Sequence, residues 1–154
     1  MRPLTTGEWA ALSPGLAEAL HTAEAAPGIM PRAHIGARIA ALWRGHTPIL
    51  TRGAVIWWAG APADISAASP QAMAVLQHEL HHVLEYATGR LSAWNYLTNR
   101  QNWSYALTLT DRHRWDDLGA EQRAVVAERL YLAEHGVAHT DELANLRRLL
   151  PWTG

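Results

Sequence analysis

The sequence has no cysteine and no lysine. Without cysteine there can be no disulfide, no iron–sulfur cluster, no thiolate zinc site and no cysteine nucleophile, so any metal must rest on His, Asp or Glu. All 13 basic residues are Arg, which together with abundant Ala reads as coding bias rather than function. Charge is sparse too: charged residues are 18% of the chain and the formal charge is −1. That balance gives no reason to expect nucleic acid or an anionic membrane as a partner. Long apolar runs are missing, and the longest, residues 54–59, falls far short of the ~20 needed to span a bilayer. Residues 1–12 lack the basic start and apolar core of a secretory signal. The expectation is a protein that is cytoplasmic as synthesised, with non-classical export left open. No Gly-rich phosphate loop is present.

What is present is 154 residues with 49% hydrophobic content, eight Trp and nine His. That length suits one domain, residues 1–154, with a proper core. Thr5 with Glu8 three residues later reads as a capping box opening a short helix that ends near Ser13. Ser13-Pro14 reads as N-cap and first residue of a second helix to about Ala26, with Leu16, Leu20 and Ala23 inward and Pro27-Gly28 as its stop. Residues 29–46 fit a helix through Ile35, Ile39 and Leu42, or a strand over 33–39. A hairpin follows, with strands at 47–50 and 54–58 around a turn at 51–53. Ser69-Pro70 opens a helix to about Thr88, capped by Gly89, whose apolar positions are Met73, Leu76, Leu80, Val83 and Leu84. Residues 91–115 show no clean period. A helix over 119–135 is stopped by Gly136, and Thr140 caps a last one ending before Pro151. The expected fold is α+β, mainly helical, with one long helix beside a small β-hairpin or sheet.

That long helix carries His78-Glu79-Leu80-His81-His82, which satisfies H-E-x-x-H. Residues four apart stand one turn above each other, so both imidazoles reach one cation from one face. Glu79 lies about 100° round the helix, beside the ion, where it can take a proton from coordinated water and pass it to a leaving group. Random order gives this pattern about three times in a hundred in such a composition, but not inside a well-capped helix with an apolar opposite face. Two His and a carboxylate suit several divalent ions; the motif makes Zn2+ the default. His81 points away from His82 and reads as a supporting polar contact. Glu85 lies about 10.5 Å along the axis from His78, too far to share its ion. It reads as support for His82 or as a solvated charge.

A catalytic zinc site needs a third protein ligand. The metzincin extension fails, because Glu85 stands where Gly is required and Thr88 where His is required. The gluzincin scheme takes a Glu from a later helix, and Glu121 is the candidate, with Glu128 and Glu134 as rivals on the same helix. Many gluzincins carry an Asp four residues after this Glu; here that position is Val125, so the group orienting His78 or His82 comes from elsewhere. An oxyanion donor is expected among Tyr96, Tyr105 and His113, with Tyr105 the first choice. Residues 54–58 are the expected rim of the cleft, able to accept an extended peptide by strand addition. Trp57 and Trp58 would project to opposite sides of it.

Arg2-Pro3-Leu4-Thr5 with Glu8, the hairpin, the His-Glu-x-x-His helix and Glu121-Gln122-x-Ala124 occur in that order. The arrangement resembles small bacterial Vgr-related proteins and the metallopeptidase-like core domain of extracellular contractile injection systems. The resemblance spans roughly residues 2–136 and implies a gluzincin-like minimal zincin domain with Glu121 as a ligand. Three functions are thus in view: a zinc metallopeptidase acting on peptides or proteins, a zinc hydrolase of another amide or small molecule, and a peptidase-like binding module partnered with a secretion apparatus.

Overall fold

Thr5 begins the first helix as its spacing predicts: its Oγ1 accepts the Glu8 N–H at 3.0 Å, and Glu8 Oε2 accepts the Thr5 N–H at 2.8 Å. A computed structural model describes residues 1–44, 47–110 and 112–152. It is α+β and mainly helical, with a small mixed sheet. In chain order the elements are β1 (Arg2–Pro3), α1 (Thr6–Ala10), α2 (Pro14–Thr22), β2 (Gly28–Met30), α3 (Ile35–Arg44), β3 (Leu50–Arg52), β4 (Val55–Trp57), α4 (Pro70–Ala87), α5 (Ala93–Thr98), α6 (Ala120–Glu134) and α7 (Leu143–Leu149). Single 3-10 turns fill several of the connections.

The sheet order is β1-β2-β4-β3, with β2 parallel to β4 and the other pairs antiparallel. β1 and β2 have no signature in the sequence, since strands of two or three residues are too short to show alternation. The segment 29–46 resolves into the end of β2 followed by helix α3, not a strand over 33–39. Of its expected apolar positions, Ile35 is exposed rather than buried, and the side chains of Ile39 and Leu42 lie outside the described residues. Two boundaries also differ from expectation. α2 stops at Thr22, because Glu24 adopts a left-handed conformation (φ 52°), and Pro27-Gly28 leads into β2 instead. The hairpin pairs Arg52 with Val55, so its turn is Gly53-Ala54 rather than 51–53. Gly53 takes the positive φ of 59° that such a two-residue turn requires. Thr51 consequently belongs to a strand.

That register places β4 inside the sheet, hydrogen-bonded on both sides. β4 therefore cannot receive an added strand, contrary to the expectation for residues 54–58. Among the described residues the edge strands are β1 and β3, and β3 is the edge that borders the motif helix.

α4 is the central element. Ser69 Oγ caps it by accepting the Ala72 N–H, Pro70 starts it and Gly89 (φ 73°) terminates it. Every residue from Leu76 to Glu85 is buried. Leu76, Leu80 and Val83 pack with Ile29 and Ile56 of the sheet and Leu16 and Leu20 of α2. Leu130 and Val126 of α6 build a second cluster with Leu146 and Leu149 of α7. Each such side chain contributes roughly 1.5–3 kcal/mol through burial. Among the described residues no helix is long and apolar enough to cross a membrane.

Arg2 and Glu8 lock the N-terminal strand to α1. Glu8 is fully buried, and its carboxylate accepts two bonds from Arg2, at 2.7 and 2.8 Å, plus the Ile65 N–H at 2.9 Å. Burial would raise the Glu8 carboxyl, but these donors hold it below its usual value. Because the folded pKa lies below the unfolded one, this pair stabilises above about pH 4.5 and its contribution fades as pH falls through the depressed value. Glu8→Ala, which strands Arg2 and two backbone donors, should lower stability by about 3 kcal/mol at pH 7. Denaturant unfolding at pH 7 and pH 3 checks this, and the gap between wild type and variant should narrow at pH 3.

Candidate metal centre

The stripe His78–His82–Glu85 of α4 faces α6, and its first two members meet one carboxylate. Glu121 Oε2 lies 3.1 Å from His78 Nε2 and 3.3 Å from His82 Nε2. All three residues are buried, and one ligand atom from each lies within 4.8 Å of the others. These are the two imidazoles and the later Glu expected from the motif, brought together by the α4–α6 packing. Of the rival acids, Glu134 is not there; it pairs with Arg147.

Glu128 contributes differently. Its Oε2 lies 3.0 Å from His78 Nδ1, on the far side of that ring from Glu121. It is the orienting group that Val125 could not supply, and the signal was available: Glu121 and Glu128 are seven residues apart, two turns on one face. A carboxylate on Nδ1 fixes the tautomer that leaves Nε2 free for a cation.

Glu121 itself is set by the start of α6. Gly119 is its N-cap, and a Cβ there would stand 2.1 Å from the Gln101 carbonyl oxygen, so only glycine lets the 100–103 turn dock. From that turn Asn102 Oδ1 accepts the Ala120 N–H at 3.1 Å, while Asn102 Nδ2 donates to the Asn95 carbonyl of α5. The same docking brings the Tyr96 hydroxyl to Glu121 Oε1, to which it donates at 2.7 Å.

Burial alone would raise the Glu121 carboxyl, but His78, His82 and Tyr96 hold it well below the carboxylate range. Burial alone would lower His78, but Glu121, Glu128 and the charge of Glu79 push it up to about 10. Burial and the neighbouring Glu121 charge raise Tyr96 above its usual value. In the metal-free protein His78 thus holds a proton that a cation would displace. The donor set fits a divalent ion: two buried imidazole nitrogens and a carboxylate oxygen converge, with His78 held from behind.

Glu79 does not join that cluster. Its Oε2 accepts a 2.6 Å hydrogen bond from Thr51 Oγ1 on β3. Glu79, both His residues and Glu121 line a cavity of about 220 Å³, walled by Pro48 and Thr51 on one side and Tyr96 and Tyr105 on the other. Tyr105 is half exposed, its ring nearly parallel to His78 with centroids 6.1 Å apart. His113 sits elsewhere, its Nδ1 accepting the Thr110 N–H.

Behind the motif, Glu85 neither supports His82 nor meets solvent. It is buried against Arg123 of α6, which donates to Glu85 Oε1 and to the Leu118 carbonyl. Burial would raise Glu85, yet His81 and Arg123 bring it down to about 2. His81 is buried beside it, Nε2 3.3 Å from Glu85 Oε1, between the rings of Trp115 and Trp152.

No family model, curated protein or solved structure matches this chain.

Titration with Zn2+ as probe ion should show one site per chain. His82→Ala and Glu121→Ala should lose at least about 100-fold in affinity, and Glu128→Gln about 10- to 100-fold. Equal metal content in wild type and His82→Ala, measured on dialysed protein, would remove the centre.

Proposed function

We propose that this chain is a zinc-dependent hydrolase of the gluzincin type, acting on peptide bonds, with Glu79 as general base. The observation that carries this reading is the separation of roles in one cavity: three donor groups converge while a fourth, the Glu79 carboxylate, stays outside them and beside the cavity. A purely structural metal site has no use for such a group.

Zinc in this place supplies a Lewis acid that makes coordinated water acidic near neutrality and polarises a carbonyl. The chain's own residues do the rest. Glu79 takes the proton of the attacking water and returns it to the leaving nitrogen. Thr51 holds the Glu79 carboxylate in place from the edge strand. Tyr105, in the cavity wall, is the proposed donor to the developing oxyanion.

A peptide is favoured over a small amide by the sheet. In an antiparallel ladder every second residue of an edge strand points its N–H and C=O outward. β3 reaches the rim of the cavity through Leu50 and Thr51, so an extended backbone can pair there. A reading as a binding module of a secretion or injection apparatus rests only on the resemblance of the motif order to that of Vgr-related proteins. It leaves the placement of Glu79 without a purpose.

Zinc-loaded wild type should cleave members of a mixed peptide library, read by mass spectrometry. Glu79→Gln should keep its zinc and lose at least about 100-fold in rate. Equal turnover by both proteins would exclude Glu79 as the base, and no turnover by wild type would favour the binding module.

A further inference from the structure

The cleft does not end at the metal cavity. Tyr86 and Leu91 line both it and a second cavity of about 610 Å³, which continues along β3 past Arg52 and Gly53. A peptide paired with β3 and reacting beside Thr51 would carry a neighbouring residue into this second space. Arg52 lies one position along the strand from Thr51 and Gly53 two, roughly 3.4 Å per residue.

The chemistry of this second cavity is one-sided. Its lining includes Arg52, His34, Trp57 and Tyr86, and contains no Asp or Glu. Arg52 is exposed, and among the described residues no carboxylate is paired with it; the arginine ion pairs belong to Arg2, Arg90, Arg123, Arg129 and Arg147. His34 Nδ1 accepts the Gly36 N–H at 3.1 Å, which leaves the ring proton on Nε2 as a donor. That ring meets Trp57 edge-on, at a centroid distance of 4.8 Å, so the imidazole is held by packing. Ser92, also in the lining, has its oxygen engaged as the cap of α5, accepting the Asn95 N–H. The remaining polar side chains are therefore a guanidinium, an imidazole N–H and a phenol, against an indole wall. Such a set matches a planar anion on an apolar stem.

We propose that this second cavity is a substrate subsite that selects a carboxylate, one or two residues from the scissile bond, with Arg52 as the specificity-determining residue. The proposal rests on the peptidase reading for its register, but recognition of the carboxylate does not require turnover. The carboxylate belongs either to an Asp or Glu side chain or to a free peptide C-terminus, and one experiment distinguishes these.

The zinc-loaded full-length Glu79→Gln protein is titrated with fluorescent peptides that differ only in an internal Glu or Gln, each with a free or amidated C-terminus. The best carboxylate peptide should bind at least about tenfold more tightly than its neutral counterpart, with the advantage shrinking as salt rises. Preference for internal Glu assigns the side-chain source, and preference for the free terminus assigns the other. Arg52→Gln in the same background should abolish the preference without changing zinc content, and Arg52→Glu should reverse it toward Lys peptides. Equal binding of acidic and neutral peptides, or a preference that survives Arg52→Gln, overturns the subsite. A carboxylate preference that depends on Arg52, in a protein whose wild type cleaves nothing, keeps the subsite and rejects the peptidase. Cleavage by wild type with no charge preference does the reverse, and failure of every peptide to bind overturns both.

Discussion

The site depends on one crossing, that of α6 over the stripe His78–His82–Glu85 of α4. Within it Glu121 Oε2 stands within 3.3 Å of two imidazole nitrogens, a position no local signal can create. The crossing is pinned one turn further along, where Arg123 reaches Glu85 and the Leu118 carbonyl. Glu121 and Arg123 lie two residues apart, so the second contact fixes the rotation and height of α6 that the first one needs. Removing one member of a buried charge pair leaves the other uncompensated, at a cost of about 3–5 kcal/mol. The Glu85–Arg123 pair thus holds the His78–His82–Glu121 cluster without touching it.

Burying Glu79, Glu85 and Glu121 around one helix is unfavourable unless each finds a donor. The donors come from different parts of the chain: Thr51 from β3, Tyr96 from α5 and Arg123 from α6. The contacts that position these carboxylates are therefore also contacts that hold the fold together. A loss of register in the hairpin would move Thr51 to the opposite face, away from Glu79, because a one-residue slip reverses every strand side chain.

Legibility followed distance along the chain. The capping box of Thr5 and Glu8, the Ser69-Pro70 start, Gly89 and Gly136 are local signals, and the helices they bound lie where expected. His78 and His82 were legible for the same reason, since the helix itself places them one turn apart. Glu121 was legible only through the gluzincin pattern. The contact of Glu128 with His78 was not legible because the gluzincin pattern places the partner four residues on, while the helix offers the same face again at seven. Glu85 was misassigned because its partner, Arg123, lies 38 residues away. The open edge was assigned to the wrong strand for a similar reason. β2 is three residues long and carries no alternation to betray it, yet its pairing with β4 decides which strand is left uncovered.

The charges at the centre also explain why the site can be formed before a cation arrives. In the metal-free protein the proton on His78 faces Glu121 on one side and Glu128 on the other, and serves as the counter-charge. Carboxylates that would otherwise repel one another are held in position by it. A divalent ion held by His78, His82 and Glu121 would take the place of that proton, with Glu128 still against Nδ1. The side chains are already near the arrangement a cation needs, so little ordering entropy is lost when it binds. Such an exchange would release a proton, so metal affinity would rise with pH. Glu79 takes no part in this exchange, since Thr51 rather than an imidazole is its partner. The edge strand, through Thr51, is what holds the Glu79 carboxylate apart from the three converging donor groups.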